Sequence, residues 1–95
     1  MSASPYISTI QESEEPRGWC FHCGLAGGGE ATIRLDWADY DHWCPGGGSP
    51  PERVAEVVIR IMMEHGVTVP ERFDAARVRH VVRNADELVT ALLGS

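Results

Sequence analysis

An α+β fold is what the sequence predicts: a β-hairpin region in the first half of the chain, packed on two or three α-helices from the second. Three observations predict it. Residues 18–48 hold all three cysteines, all three tryptophans and eight of the ten glycines, a loop-and-hairpin composition. Residues 31–37 alternate apolar and polar side chains, as a half-buried strand does. Residues 54–65 repeat apolar side chains at steps of three and four, the period of a helix buried along one face.

Taken in order, the elements justify themselves locally. Residues 1–17 mix Ser, Pro and Glu with only Tyr6, Ile7 and Ile10 as sizeable apolar groups. Such a segment buries too little to offset the entropy of ordering it, so it is expected to be a mobile N-terminal arm; docking of those three residues, or pairing as an edge strand, is the alternative. Residues 18–95 are expected to form one small domain, with 18–48 as the hairpin region and 49–95 as the helical region. In the first, Ile33, Leu35 and Trp37 share one face of a strand, Ala38 to Asp41 reads as a turn, and His42 to Cys44 as a short return. The Pro- and Gly-rich run from Pro45 to Pro51 is a loop in which Ser49 is placed to cap the next helix.

That helix, from about Pro51 to His65, is the best-specified element. Val54, Val57, Val58, Ile61 and Met62 line its apolar face, Met63 falls at its rim, and Gly66 supplies the left-handed stop. Residues 74–83 fit a helix begun by Asp74, with Val78, Val81 and Val82 inward, and also fit a strand through Val78, His80 and Val82; the helix is preferred. A last short helix starts near Asp86 and Glu87, turns Leu88, Val89, Leu92 and Leu93 inward and ends at Gly94.

The 95 residues carry eight arginines, no lysine and fourteen acidic groups, for a net charge of −6. The excess is uneven: residues 1–48 set two arginines against seven acids, and residues 49–95 six against seven. This argues against direct binding to nucleic-acid phosphates or anionic membranes. No apolar run approaches the roughly 20 residues of a membrane span, and the first residues lack the basic start and apolar segment of a signal peptide, so a cytoplasmic location is expected.

An odd number of cysteines without an export signal makes a disulfide framework a poor explanation and puts metal or redox chemistry first. Cys20-Phe21-His22-Cys23-Gly24 has the spacing of a zinc knuckle, in which a tight turn aims two thiolates at one ion and the glycine lets backbone N–H groups approach the sulfurs. His42 and Cys44, two apart in an extended return segment, would face it together. The expected site is therefore Cys20, Cys23, His42 and Cys44 around a structural Zn2+, with His22 and His65 as rivals to His42, and the fold becomes a zinc-stabilised hairpin region on its helices. The bland alternative is three free thiols acting as small core residues.

Trp19-Cys20-Phe21-His22-Cys23 also resembles the WCxxC motif of thioredoxin-like oxidoreductases, which implies a dithiol activated at a helix N-terminus. The likeness covers five residues, and the glycines from Gly24 to Gly29 do not make that helix. A Rieske iron–sulfur pattern fails because Gly47 stands where its second histidine is needed. No nucleophile–base pair stands out. Gly27 to Gly29 and Gly46 to Gly48 lack the context of a phosphate loop.

Trp37, Asp39, Tyr40, Asp41 and Trp43 form the partner-binding candidate. Large rings in a small domain, set among carboxylates, have the profile of a surface that meets a basic, partly apolar patch on another protein. The expected function is a small acidic zinc-binding protein-interaction module, an accessory subunit or regulator, rather than an enzyme. Thiol redox work or enzymology through Cys20 and Cys23, and an acidic mimic of nucleic acid, are the alternatives. Should the rings prove buried, Arg77, Arg79 and Arg83 are the next surface to consider.

Overall fold

The computed structural model describes residues 5–94. In these residues four strands and four α-helices make a small α+β fold. Strand β1 (Ile7–Glu15) turns through Pro16 and Arg17 into β2 (Gly18–Leu25), and β2 turns through three glycines into β3 (Glu30–Asp36). Helix α1 (Trp37–Trp43) follows without a break, then a loop, then α2 (Pro51–Glu64). A short strand β4 (Arg72–Asp74), a 3-10 turn (Ala75–Arg77), α3 (Val78–Val81) and α4 (Ala85–Gly94) complete the chain. The sheet order is β1-β2-β3-β4, antiparallel except for the final parallel pair.

One face of this sheet is covered. Phe21, Cys23, Ile33 and Leu35 point from β2 and β3 into a core completed by Val54, Val57, Val58, Ile61 and Met62 of α2, with Val78 and Val89 from the last two helices. Helix α2 runs where the apolar period places it. Proline rather than a serine side chain opens it: Pro50 is its N-cap residue, with no side-chain cap hydrogen bond, and Gly66 stops it at φ +70°. Ser49 is occupied otherwise, accepting the Tyr40 hydroxyl at its carbonyl and giving its N–H to the Cys44 sulfur at 3.2 Å.

Two further expectations change. Residues 7–15, expected in a mobile arm with edge-strand pairing as the alternative, take that alternative as the edge strand β1; residues 1–4 of that segment lie outside the described residues. A register shift between Ile7 and Thr9 explains how so few apolar groups suffice. Ile7 and Ile10 are an odd number apart, and the extra residue of the shift lets both turn toward the core. The Tyr6 hydroxyl then donates to Glu64 at 2.6 Å, tying the start of β1 to α2. Backbone pairing along the whole of β2 is the term that composition alone leaves out.

Trp37, expected at the end of the strand, and the following residues, expected as a turn from Ala38 to Asp41 and a return from His42 to Cys44, form helix α1 (Trp37–Trp43). Asp39 in its first turn and His42 in its last suit the helix dipole. In residues 74–83 the preferred helix reading holds in shortened form, a 3-10 turn begun at Asp74 and a helix from Val78 to Val81, while the strand β4 ends at Asp74, before the Val78, His80 and Val82 of the strand reading. At Gly18 the backbone of β3 leaves no room for a side chain: a built Cβ would lie 2.0 Å from the Leu35 carbonyl oxygen, so the strand start requires glycine.

Candidate functional site

The cysteines do not gather. Cys20 and Cys23 lie on one strand an odd number of residues apart, so they point to opposite faces of the sheet. Cys23 is 2% exposed among core side chains, whereas Cys20 joins His22, Thr32 and Arg34 on the uncovered face. Cys44 is buried at the end of α1, held by the Ser49 backbone. His42 is exposed on α1, its Nε2 3.8 Å from an Asp86 carboxylate oxygen. Among the described residues no group of three or more His, Cys, Asp or Glu side chains is placed to hold a metal ion.

The expected Zn2+ site at Cys20, Cys23, His42 and Cys44 is therefore corrected. A knuckle needs a turn between its two thiolates, and here that stretch is fully paired to strands on both sides. The rival histidines are engaged as well: His22 Nδ1 lies 3.1 Å from the Thr32 hydroxyl, and His65 Nδ1 donates to the Ile61 carbonyl at 2.8 Å. The same geometry works against a dithiol. Three residues of strand span about 10 Å, beyond the roughly 7 Å that a disulfide bridges without backbone movement. Both thiols are held protonated. Burial pushes Cys23 up to about 11, and burial together with the Glu15 charge raises Cys20.

Helix α1 carries the aromatic candidates, and it divides them. Residues 37, 40 and 43 are three apart, and each such step turns a helical side chain by about 60° from the last. Over two steps the direction swings from solvent to core. Trp37 is 52% exposed, Tyr40 is half-buried and Trp43 is 1% exposed.

On the inner side, Trp43 donates its indole N–H to Asp86 at 2.6 Å, and the Arg79 guanidinium stacks 4.6 Å above its ring. Arg79 also donates to Asp86 at 2.7 Å and to Asp39 at 2.8 Å, which joins α1, α3 and α4. Burial disfavours the ionised form of Asp86. The hydrogen bonds from Arg79 and Trp43, with the Arg79 charge, outweigh it and hold the carboxyl below its ordinary value. Asp39 and Trp43 thus serve the fold, a correction to the expectation that all five candidates form one surface. Arg79 likewise turns inward, away from the basic group proposed with Arg77 and Arg83. Asp86 was missed as Trp43's partner; the indole N–H, which needs an acceptor when buried, was the available signal.

On the outer side are Trp37, Tyr40 and Asp41, related by three- and four-residue steps. Tyr40 packs edge-to-face on Trp19 of β2, with ring centres 5.2 Å apart. The Trp37 backbone N–H donates to the Arg17 carbonyl at 2.8 Å, which fixes the tryptophan beside the β1–β2 turn. In the sheet register Glu14 lies opposite Trp19, Glu15 opposite Gly18, and Gly18 opposite Asp36. Glu14, Glu15, Asp36 and Asp41 thus lie at the same end of the fold as the open indole. Arg34 is engaged by Glu15 at 2.7 Å and Asp36 at 3.1 Å, which leaves Arg17 as the cation of this end without an ion pair among the described residues.

A second feature is an open groove of about 490 Å³ on the uncovered face of the sheet, lined by Cys20, His22, Thr32, Arg34 and Arg72 among others. Its charges are of both signs, with Arg34 shared among Glu15, Asp36 and Asp74. Its thiol is held protonated, and its histidine Nδ1 lies 3.1 Å from the Thr32 hydroxyl. No helix among the described residues is long and apolar enough to cross a membrane. In comparisons with known proteins, no family model, no curated protein and no solved structure matches the chain.

Proposed function

We propose that this chain is a protein-interaction module, an accessory subunit or regulator without catalytic activity, that docks a basic, partly apolar patch of another protein on the Trp37, Tyr40 and Asp41 face of α1. The observation that carries the reading is Trp37. Among the described residues it is the large apolar side chain left exposed, and the sheet register and the chain put Glu14, Glu15, Asp36 and Asp41 at the same end of the fold. A rigid exposed indole at an acidic end of the molecule suits an interface anchor, with contact area from the ring and charge nearby to steer a basic partner. Nucleic-acid phosphate would be repelled by the same carboxylates.

The test places a photo-cross-linking amino acid at position 37 and, as a control, at Thr90, an exposed position on α4. Cross-linking in the native cell should recover one defined protein from position 37 and not from position 90. Trp37→Ala should abolish its association while leaving the melting temperature unchanged. Equal recovery from both positions, or undiminished association of Trp37→Ala, would overturn the proposal.

A further inference from the structure

The two edges of the sheet are unlike. Strand β4 has three residues and passes at once into the 3-10 turn and α3, so it offers little edge to pair with. Strand β1 has nine, and the sheet order leaves its outer side without a neighbouring strand among the described residues. Every second residue of an edge strand directs its N–H and C=O groups away from the sheet, a ready template for one more strand.

Most protections that edges carry are missing. There is no proline and no lysine between Ile7 and Glu15, and the only irregularity of register falls at the start of the strand. From Thr9 to Glu15 the pairing with β2 is regular. What the strand does carry is Glu12, Glu14 and Glu15, with no cation of its own. Glu15 is engaged by Arg34, whereas Glu12 and Glu14 have no ion pair among the described residues. Both are exposed. A second copy of the chain would bring three more carboxylates to this edge, while a basic strand would bring compensation.

We infer that β1 is a docking edge, which takes an extended, lysine- or arginine-bearing segment of a partner protein as a fifth strand of the sheet. Backbone hydrogen bonds to β1 supply the register, and cations at alternate positions of the segment face Glu12 and Glu14. The inference concerns a different element from Trp37 and stands or falls separately from the proposal made for that residue.

The experiment uses the full chain and three short synthetic peptides: alternating lysine and valine, alternating glutamate and valine, and the lysine–valine peptide with alternate backbone amides N-methylated. The lysine–valine peptide should bind and slow amide hydrogen exchange in residues 9–15 but not in β4. Its glutamate counterpart should not bind. N-methylation, which keeps the charge and removes edge hydrogen bonds, should weaken binding about tenfold or more. The double substitution Glu12→Gln and Glu14→Gln should weaken it too and flatten its salt dependence. Equal binding of the N-methylated peptide would reduce the effect to diffuse charge attraction and overturn the inference. So would absence of binding, which would leave the glutamates as guards against aggregation, or concentration-dependent dimerisation that protects the same amides, which would make a second copy the occupant.

Discussion

Cys20 and Cys23 show how one backbone choice decides the chemistry of a residue. Their three-residue spacing suits a metal knuckle if the chain turns between them and forbids one if it runs straight. Phe21, fully buried between them, shows why it runs straight: the period of two places Phe21 and Cys23 together on the core face and leaves Cys20 and His22 outside. The sequence contains that alternation, and the familiar spacing of the cysteines concealed it. Two outcomes follow at this scale. Alkylation of the native protein should modify Cys20 alone, more slowly at neutral pH than a free thiol because its ionisation is suppressed, with Cys23 and Cys44 reacting only after unfolding; mass mapping of the labelled peptides checks this. The Cys23 thiol, at about 11 when folded against about 8.5 when unfolded, contributes stability that is complete below about pH 8.5 and is lost as pH rises toward 11. Urea unfolding across that range should show a decline that is smaller in Cys23→Ala.

Among the elements, α2 was legible nearly to the residue, because its apolar period, its opening prolines and its closing glycine agree. The last helix was legible for the same reason. Helix α1 was not, since seven residues give too short a window for periodicity, and its rings at 37, 40 and 43 can be mistaken for a hairpin cluster. Strand β1 stood only as the alternative to a mobile arm because its stability comes from pairing with β2, a partner that composition does not reveal. What holds α1 in place is the Asp86 carboxylate, which joins Trp43 and Arg79. Asp86→Ala leaves the indole N–H of a buried ring without its acceptor and should cost about 1–3 kcal/mol, measured by urea unfolding. Asp86→Asn, which keeps an acceptor and loses the charge, should cost less. Because the folded carboxyl lies below its ordinary value, its contribution is present above the unfolded value, about 3.9, and is lost as pH falls through the folded one. Native protein should therefore lose stability on acidification more steeply than Asp86→Asn.

For the molecule as a whole, the uneven charge already visible in the sequence becomes a spatial division. The acid-rich first half supplies β1 and α1, and the fold brings Glu14, Glu15, Asp36 and Asp41 to the end where Trp37 is exposed. The charge was legible; that only one of the three α1 rings would stand open was not, because it depends on the helical rotation from Trp37 to Trp43. A packed two-layer core accounts for the fold without a metal, so exhaustive treatment with a strong chelator should leave the melting temperature where it was, as followed by circular dichroism. The central claim, that partners meet this protein at the acidic end around Trp37, is tested most directly by titrating the isotope-labelled chain with the cross-linked partner and following amide and indole resonances. The Trp37 indole N–H and the amides of residues 36–41 should shift while the Trp43 indole stays in place. A still Trp37 indole, with shifts concentrated around His22 and Arg72 on the open face of the sheet, would contradict it.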